Sequence, residues 1–170
     1  MLFLVSCSEL VTERERQGYQ HTLVLHASDL PKGRGWSPYI WELIKGAETI
    51  TVSLLEAAEQ VDSGRIWAKE SFSVGKDWLW DEIHDALFAA ELKLMSFAVA
   101  NKEHIKPEAQ DESEGVSYYP KRSPKDSELD VDKPLKEQFD LLRVCDPVRY
   151  PATIRIHGQT YKITVEKTDD

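Results

Sequence analysis

Two short apolar runs, Leu2–Val5 and the run Leu23-Val24-Leu25 led by Thr22, set the tightest limit on what this chain can fold into. Each is too short for a helix, and each stops abruptly, the first at Ser6-Cys7-Ser8 and the second at His26. Consecutive side chains of a strand point to opposite faces, so an all-apolar strand needs cover on both. A parallel sheet flanked by helices supplies that cover. The expected class is therefore α/β with a mostly parallel sheet.

The remaining pattern fits this class. Thr12 to Gln20 is polar and reads as a short surface helix or turn. Pro31-Lys32-Gly33-Arg34-Gly35 is a loop, and Ser37-Pro38 opens a helix that Gly46 stops. Thr49 to Leu55 and Ile66 to Phe72 alternate as strands, separated by the turn Val61-Asp62-Ser63-Gly64. Leu79, Ile83, Leu87, Ala90, Leu94, Phe97 and Ala98 recur at helical steps, which predicts a long amphipathic helix over 79–99. Phe139 to Val144 is a short helix, and Ala152–Ile156 with Tyr161–Val165 forms a hairpin turning over His157–Thr160. The expected division is a catalytic core over 1–101, a long polar connection over 102–138 with little core of its own, and a helix-and-hairpin extension over 139–170.

Composition excludes several classes. Of 170 residues, 41% are hydrophobic and 30% charged, as in soluble globular domains. No apolar run approaches a membrane span, and Met1–Ser8 lacks the basic lead of a signal peptide. A cytoplasmic protein is expected. The net charge of −9 argues against a broad nucleic-acid surface, which needs clustered Lys and Arg. Cys7 and Cys145 belong to no motif and read as reduced thiols, Cys7 as a buried structural one. The five histidines show no zinc-type spacing with Cys or Glu, so no metal is expected.

His26 ends an apolar strand, where open α/β sheets keep their sites. Asp62 lies in a turn after a strand of its own. Delivered to one edge of a sheet, the two would form a general acid/base pair. The plainer alternative makes His26 a loop cap and Asp62 an ordinary Asx-turn residue.

The segment His26-Ala-Ser28-Asp-Leu-Pro31-Lys-Gly-Arg34-Gly35-Trp-Ser-Pro38 resembles the stretch of the folate-dependent formyltransferases that bears their catalytic histidine. That family includes enzymes acting on methionyl-tRNA, on glycinamide ribonucleotide and on amino sugars. Leu55-Glu-Ala-Ala-Glu-Gln-Val61-Asp62-Ser63-Gly64 resembles the loop with the family's essential aspartate. Tyr118-Tyr119-Pro120 with Arg122, and Arg149-Tyr150-Pro151-Ala152, resemble its later segments, so the likeness runs from Leu2 to the last hairpin.

The resemblance implies a Rossmann-like formyltransferase fold and an enzyme moving a formyl group from 10-formyltetrahydrofolate to a primary amine, without a metal. His26 and Asp62 would be catalytic. The pterin would lie on the loop of Cys7, Ser8, Glu9 and Leu10, and on Glu56, Ala58, Gln60 and Val61. The acceptor would meet Ser28, Lys32, Gly33, Arg34, Gly35 and Trp36. Lys32, Arg34, Lys121 and Arg122 would face phosphates, although such charges are commonly only a solvated face. The five tryptophans are expected mainly to pack, with Trp36 able to stack on substrate.

The expected acceptor is a nucleotide-linked amino sugar, because an enzyme acting on tRNA would bring a larger basic C-terminal domain. Methionyl-tRNA is the alternative acceptor, and a non-catalytic folate-binding remnant the alternative role. Two departures bear on this. Val24 stands where the family has an Asn that helps hold the formyl oxygen, leaving Thr22 and Ser28 as the nearest hydrogen-bonding side chains. Loss of one such donor costs ~10²–10³ in rate where an enzyme depends on it. The family's domain also has strand–helix units ahead of the strand at Leu2, so the fold is expected to be incomplete at its N-terminal side. Either further strands or a partner chain, a second copy among the candidates, would cover the open edge.

Overall fold

The computed structural model describes residues 1–7, 9 and 11–168, save the side chain of Glu114. Among them, β1 (Leu2–Val5) and β2 (Thr22–His26) flank a short helix α1 (Glu13–Arg16). Thr12 and Glu15 cap that helix reciprocally. A two-residue strand β3 (Arg34–Gly35) precedes helix α2 (Pro38–Ile44), strands β4 (Thr49–Glu56) and β5 (Ile66–Ser73), and the long helix α3 (Trp80–Asn101). The connection that follows carries β6 (Tyr118–Tyr119), and the chain continues through α4 (Phe139–Arg143), β7 (Ala152–Ile156) and β8 (Gln159–Ile163).

The main sheet has the order β1-β2-β4-β5. It is a mixed α/β sheet: β1 and β2 pair in parallel, while β4 runs antiparallel to both β2 and β5. Within this sheet the parallel pairing expected from the apolar runs is made by β1 and β2. For β4 and β5 the cause of the antiparallel pairing is local. The segment between β4 and β5 is too short for a parallel crossover, so these strands return antiparallel.

Alternation decides which face carries what. Leu23 and Leu25 of β2, Val52 and Leu54 of β4, and Leu87, Ala90, Leu94 and Ala98 of α3 form one buried cluster, with Met1, Phe3 and Val5 packed against it. Each fully buried Leu contributes on the order of 2 kcal/mol. Helix α2 joins the same layer through Ile40 and Leu43, which meet Ile50 and the start of α3 at Ile83. Asp81 and Glu82 sit in the first turn of α3, favourable to its dipole, and Glu82 also accepts the Leu79 N–H at 2.9 Å. The other face holds Val24, His26, Ser53 and Leu55.

The polar connection is not a free excursion. Glu108 and Ile66 exchange backbone hydrogen bonds of 2.8 and 2.9 Å, β6 pairs in parallel with β3, and Leu129 is buried with Leu142, Cys145 and Ala152. The hairpin turn is tighter than expected. Ile156 faces Gln159, and His157 and Gly158 alone form the turn with φ of 51° and 78°. Two positive φ values in a two-residue loop match the twist of the strands, and Gly at the second position accepts one without penalty. No helix among the described residues is long and apolar enough to cross a membrane.

Candidate active site

His26 is 7% exposed at the end of β2. Its Nε2 lies 2.8 Å from the C=O of Gly33 and its Nδ1 lies 3.5 Å from Oδ1 of Asp62. The Gly33 carbonyl can only accept, so Nε2 carries a hydrogen and Nδ1 is the nitrogen turned to the carboxylate. The other oxygen of Asp62, Oδ2, accepts the N–H of Gly35 at 2.8 Å. A closed circuit results, running from Gly33 through His26 and Asp62 back to Gly35.

The route by which Asp62 arrives differs from the sequence expectation. His26 pairs with Ser53, whereas Glu56, the last residue of β4, pairs with Leu23 near the start of β2. The two residues therefore do not sit at adjacent strand ends on one edge. The segment 57–65 leaves the far end of β4 and turns back to reach His26. Both side chains are 8% exposed, so the pair is buried.

Three features make the return possible. Asp62 adopts φ 54°, a left-handed conformation that Asp tolerates better than most residues. Gly64 packs so closely beneath β4 that a Cβ there would overlap the Glu56 carbonyl oxygen. Gln110, from the connection, donates through Nε2 to the C=O of Asp62 at 2.7 Å and of Gly64 at 2.9 Å.

The Gly33–Gly35 loop is held by the same connection. Gly33 N–H donates to Ser117 Oγ at 2.9 Å, Arg34 N–H to Ser117 O at 2.9 Å, and Trp36 N–H to Tyr119 O at 3.1 Å. Gly35 has φ 97°, and a Cβ there would overlap the Tyr119 carbonyl oxygen. Arg34 is 2% exposed. Its Nη2 donates to Gln110 Oε1 at 2.6 Å and Glu112 Oε1 at 2.8 Å, and its Nη1 to Tyr118 Oη at 3.3 Å. Its guanidinium therefore serves internal contacts.

The other residues expected at the site are spread more widely. Ser28 is fully buried beside Gly33, with an Oγ that has no hydrogen-bond partner among the described residues. Lys32 is exposed, and Trp36 is half-buried with Lys121 Nζ 4.7 Å above its ring. Arg122 donates to Asp126 O and Ser127 Oγ. Cys7 follows the carboxyl end of β1, alongside that of β2, and is exposed, so the buried-thiol reading fits Cys145 and not Cys7. Glu9 is exposed, while Ser8 and Leu10 lie outside the described residues. Glu56 accepts from Trp67 Nε1 at 3.3 Å, and Gln60 donates to Tyr118 Oη at 3.2 Å. Ala58, Gln60 and Val61 are exposed along the returning segment.

Glu42 stands near Gly33, and burial, aided by the charge of Asp29, pushes its carboxyl up to about 7. Sequence reasoning missed Gln110 and Ser117. No local pattern marks either one, since Gln110 and Ser117 act on residues 48 and 84 positions away.

No family model matches the chain. Methionyl-tRNA formyltransferase of Bacillus velezensis is 30% identical over 142 residues, covering 82% of this chain and 44% of that protein. The chain thus spans under half the length of the curated relatives it matches. Among solved structures, a sugar N-formyltransferase from a Shewanella species has a TM-score of 0.77 at 16% identity, covering 99% of this chain and 70% of that one. HypX from Aquifex aeolicus in complex with tetrahydrofolic acid has a TM-score of 0.75 at 20% identity, covering 93% and 28%. At these identities the two structures establish the likeness of fold.

Proposed function

We propose, from the premise that the chain belongs to the folate-dependent formyltransferase family, that it takes part in formyl transfer from 10-formyltetrahydrofolate to a primary amine. The observation that carries this reading is the buried His26–Asp62 pair, held between the Gly33 carbonyl and the Gly35 N–H.

The donor, when bound, supplies a formyl carbon for the amine nitrogen to attack, while the bond to its own nitrogen breaks, the amine gives up a proton and the departing nitrogen takes one up. Ser28 is the side chain that answers to such a group: its buried hydroxyl has no hydrogen-bond partner among the described residues. His26 would exchange the Gly33 carbonyl for the formyl oxygen and donate through Nε2 to the charge developing there. Asp62 orients the imidazole from the Nδ1 side and accepts the amine proton, directly or through water. With Val24 in place of an amide donor, His26 and Ser28 would carry the oxyanion between them.

We place the acceptor among nucleotide-linked amino sugars, a reading supported by the likeness in fold to a sugar N-formyltransferase and by the net charge of −9. Sequence similarity to methionyl-tRNA formyltransferases supports methionyl-tRNA as the second reading. Incubation with labelled formyl donor and each acceptor tests both. Label on amino-sugar nucleotides alone supports the first, and label on methionyl-tRNA alone replaces it with the second. Donor binding without transfer to either would leave a folate-binding role.

A further inference from the structure

The turn that carries Asp62 is held by a side chain outside the acid–base pair, and we propose that Gln110 is the positioning residue of that pair. The proposal rests on the reading of His26 and Asp62 as the reacting groups. Asp62 has a left-handed backbone, which costs an L-residue free energy unless its surroundings offset it. The bonds made by the turn itself are few: Ser63 N–H reaches Gln60 O at 3.3 Å and Ser63 Oγ reaches the same oxygen at 2.8 Å. Neither acts on Asp62.

Gln110 acts on both sides of Ser63. One hydrogen of its Nε2 goes to the Asp62 carbonyl and the other to the Gly64 carbonyl, while Oε1 takes the Arg34 guanidinium at 2.6 Å. This uses both donors of the amide and leaves one orientation available. A flipped amide would set Oε1 against two carbonyls and Nε2 against a cation. Arg34 lies between Gly33 and Gly35, the residues whose backbone holds His26 and Asp62. A single carboxamide thus ties the Asp62 turn to the loop that faces it. Gln110 is itself fixed through the backbone bonds between Glu108 and Ile66. No other uncharged side chain of this length offers two hydrogens and an acceptor together. Glutamate keeps the acceptor for Arg34 but has no hydrogen for the carbonyls, and asparagine is one methylene short.

The test follows hydrogen exchange by NMR in the 170-residue chain, at the Gly35 amide that Asp62 accepts. Asp62→Ala serves as the reference for loss of that bond. Gln110→Ala and Gln110→Glu should each speed Gly35 exchange about tenfold, shift the His26 Nδ1 resonance towards its Asp62→Ala position, and leave core amides of β4 protected. In formyl transfer, both variants should lower kcat while the KM for the donor holds. Wild-type protection of Gly35 in either variant overturns the proposal, as does loss of protection throughout the sheet in both, since Gln110 would then serve the whole fold. If His26→Ala and Asp62→Ala transfer formyl as the wild type does, the functional reading fails. Gly35 exchange still decides, separately, whether Gln110 positions Asp62.

Discussion

His26 and Asp62 approach to 3.5 Å, Nδ1 to Oδ1, although β4 delivers the aspartate's segment to the opposite end of β2. The contact is made by a segment turning back over the sheet, and it closes onto Gly33 and Gly35 of one loop. A pair built this way is coupled to the backbone on both sides, so chemistry and stability are hard to separate at either residue.

Substitution of the pair should therefore affect both properties. His26→Ala and Asp62→Ala should each lower transfer at least ~10²-fold. Asp62→Ala also leaves the Gly35 N–H without its acceptor, costing about 1–3 kcal/mol in urea unfolding. Asp62→Asn retains an acceptor and should stay close to wild-type stability while losing activity. Equal activity in Asn and wild-type proteins would remove the carboxylate from the mechanism.

At Gly35 the fold itself is at stake. A side chain would collide with the Tyr119 carbonyl oxygen and strain a φ of 97°. Gly35→Val should lower the thermal midpoint and destabilise the protein by about 2 kcal/mol or more, with activity falling alongside. A variant of unchanged midpoint but lost activity would instead point to a ligand pressed against this loop.

Arg34→Lys should be a poor replacement despite the retained charge. The guanidinium reaches Tyr118, Gln110 and Glu112 at once, and one ammonium cannot reproduce that fork. A loss of about 1–3 kcal/mol is expected from the urea midpoint. Undiminished stability would show that the buried fork contributes little.

Glu91 supplies a pH dependence. It is 4% exposed on the packed side of α3, its Oε2 has no partner among the described residues, and burial pushes its carboxyl up to about 7. An acid whose pKa is higher folded than unfolded is bound to its proton more firmly in the native state. Its stabilising contribution is complete below about 4.5 and is lost as pH rises towards about 7. Glu91→Gln should flatten the fall in urea midpoint between these values. Glu42, raised in the same direction, will retain part of the slope. An unchanged slope in Glu91→Gln would assign the whole of it elsewhere.

Local patterns in the sequence determined most of the elements. The runs at Leu2 and Leu23 became β1 and β2, the periodic stretch from Leu79 became α3, and Pro38 and Gly46 bracketed α2, because apolar spacing and backbone restrictions act within a few residues. The motif around His26 and Asp62 was legible too, through its likeness to a known family. Strand direction was less so. Whether β4 runs with or against β2 depends on how the intervening chain crosses the sheet, and the apolar pattern of β2 is compatible with either.

Sequence alone therefore determined most of the elements, the family and the identity of the two candidate groups. Tertiary structure alone decided that Asp62 reaches His26 from the far end of β4, that Arg34 turns inward, and that Gln110, in what reads as a solvated linker, holds the turn. The reason is one of range. Hydrophobic periodicity records which face of an element is buried, whereas a hydrogen bond between residues 48 apart, as between Gln110 and Asp62, leaves no mark on the neighbours of either.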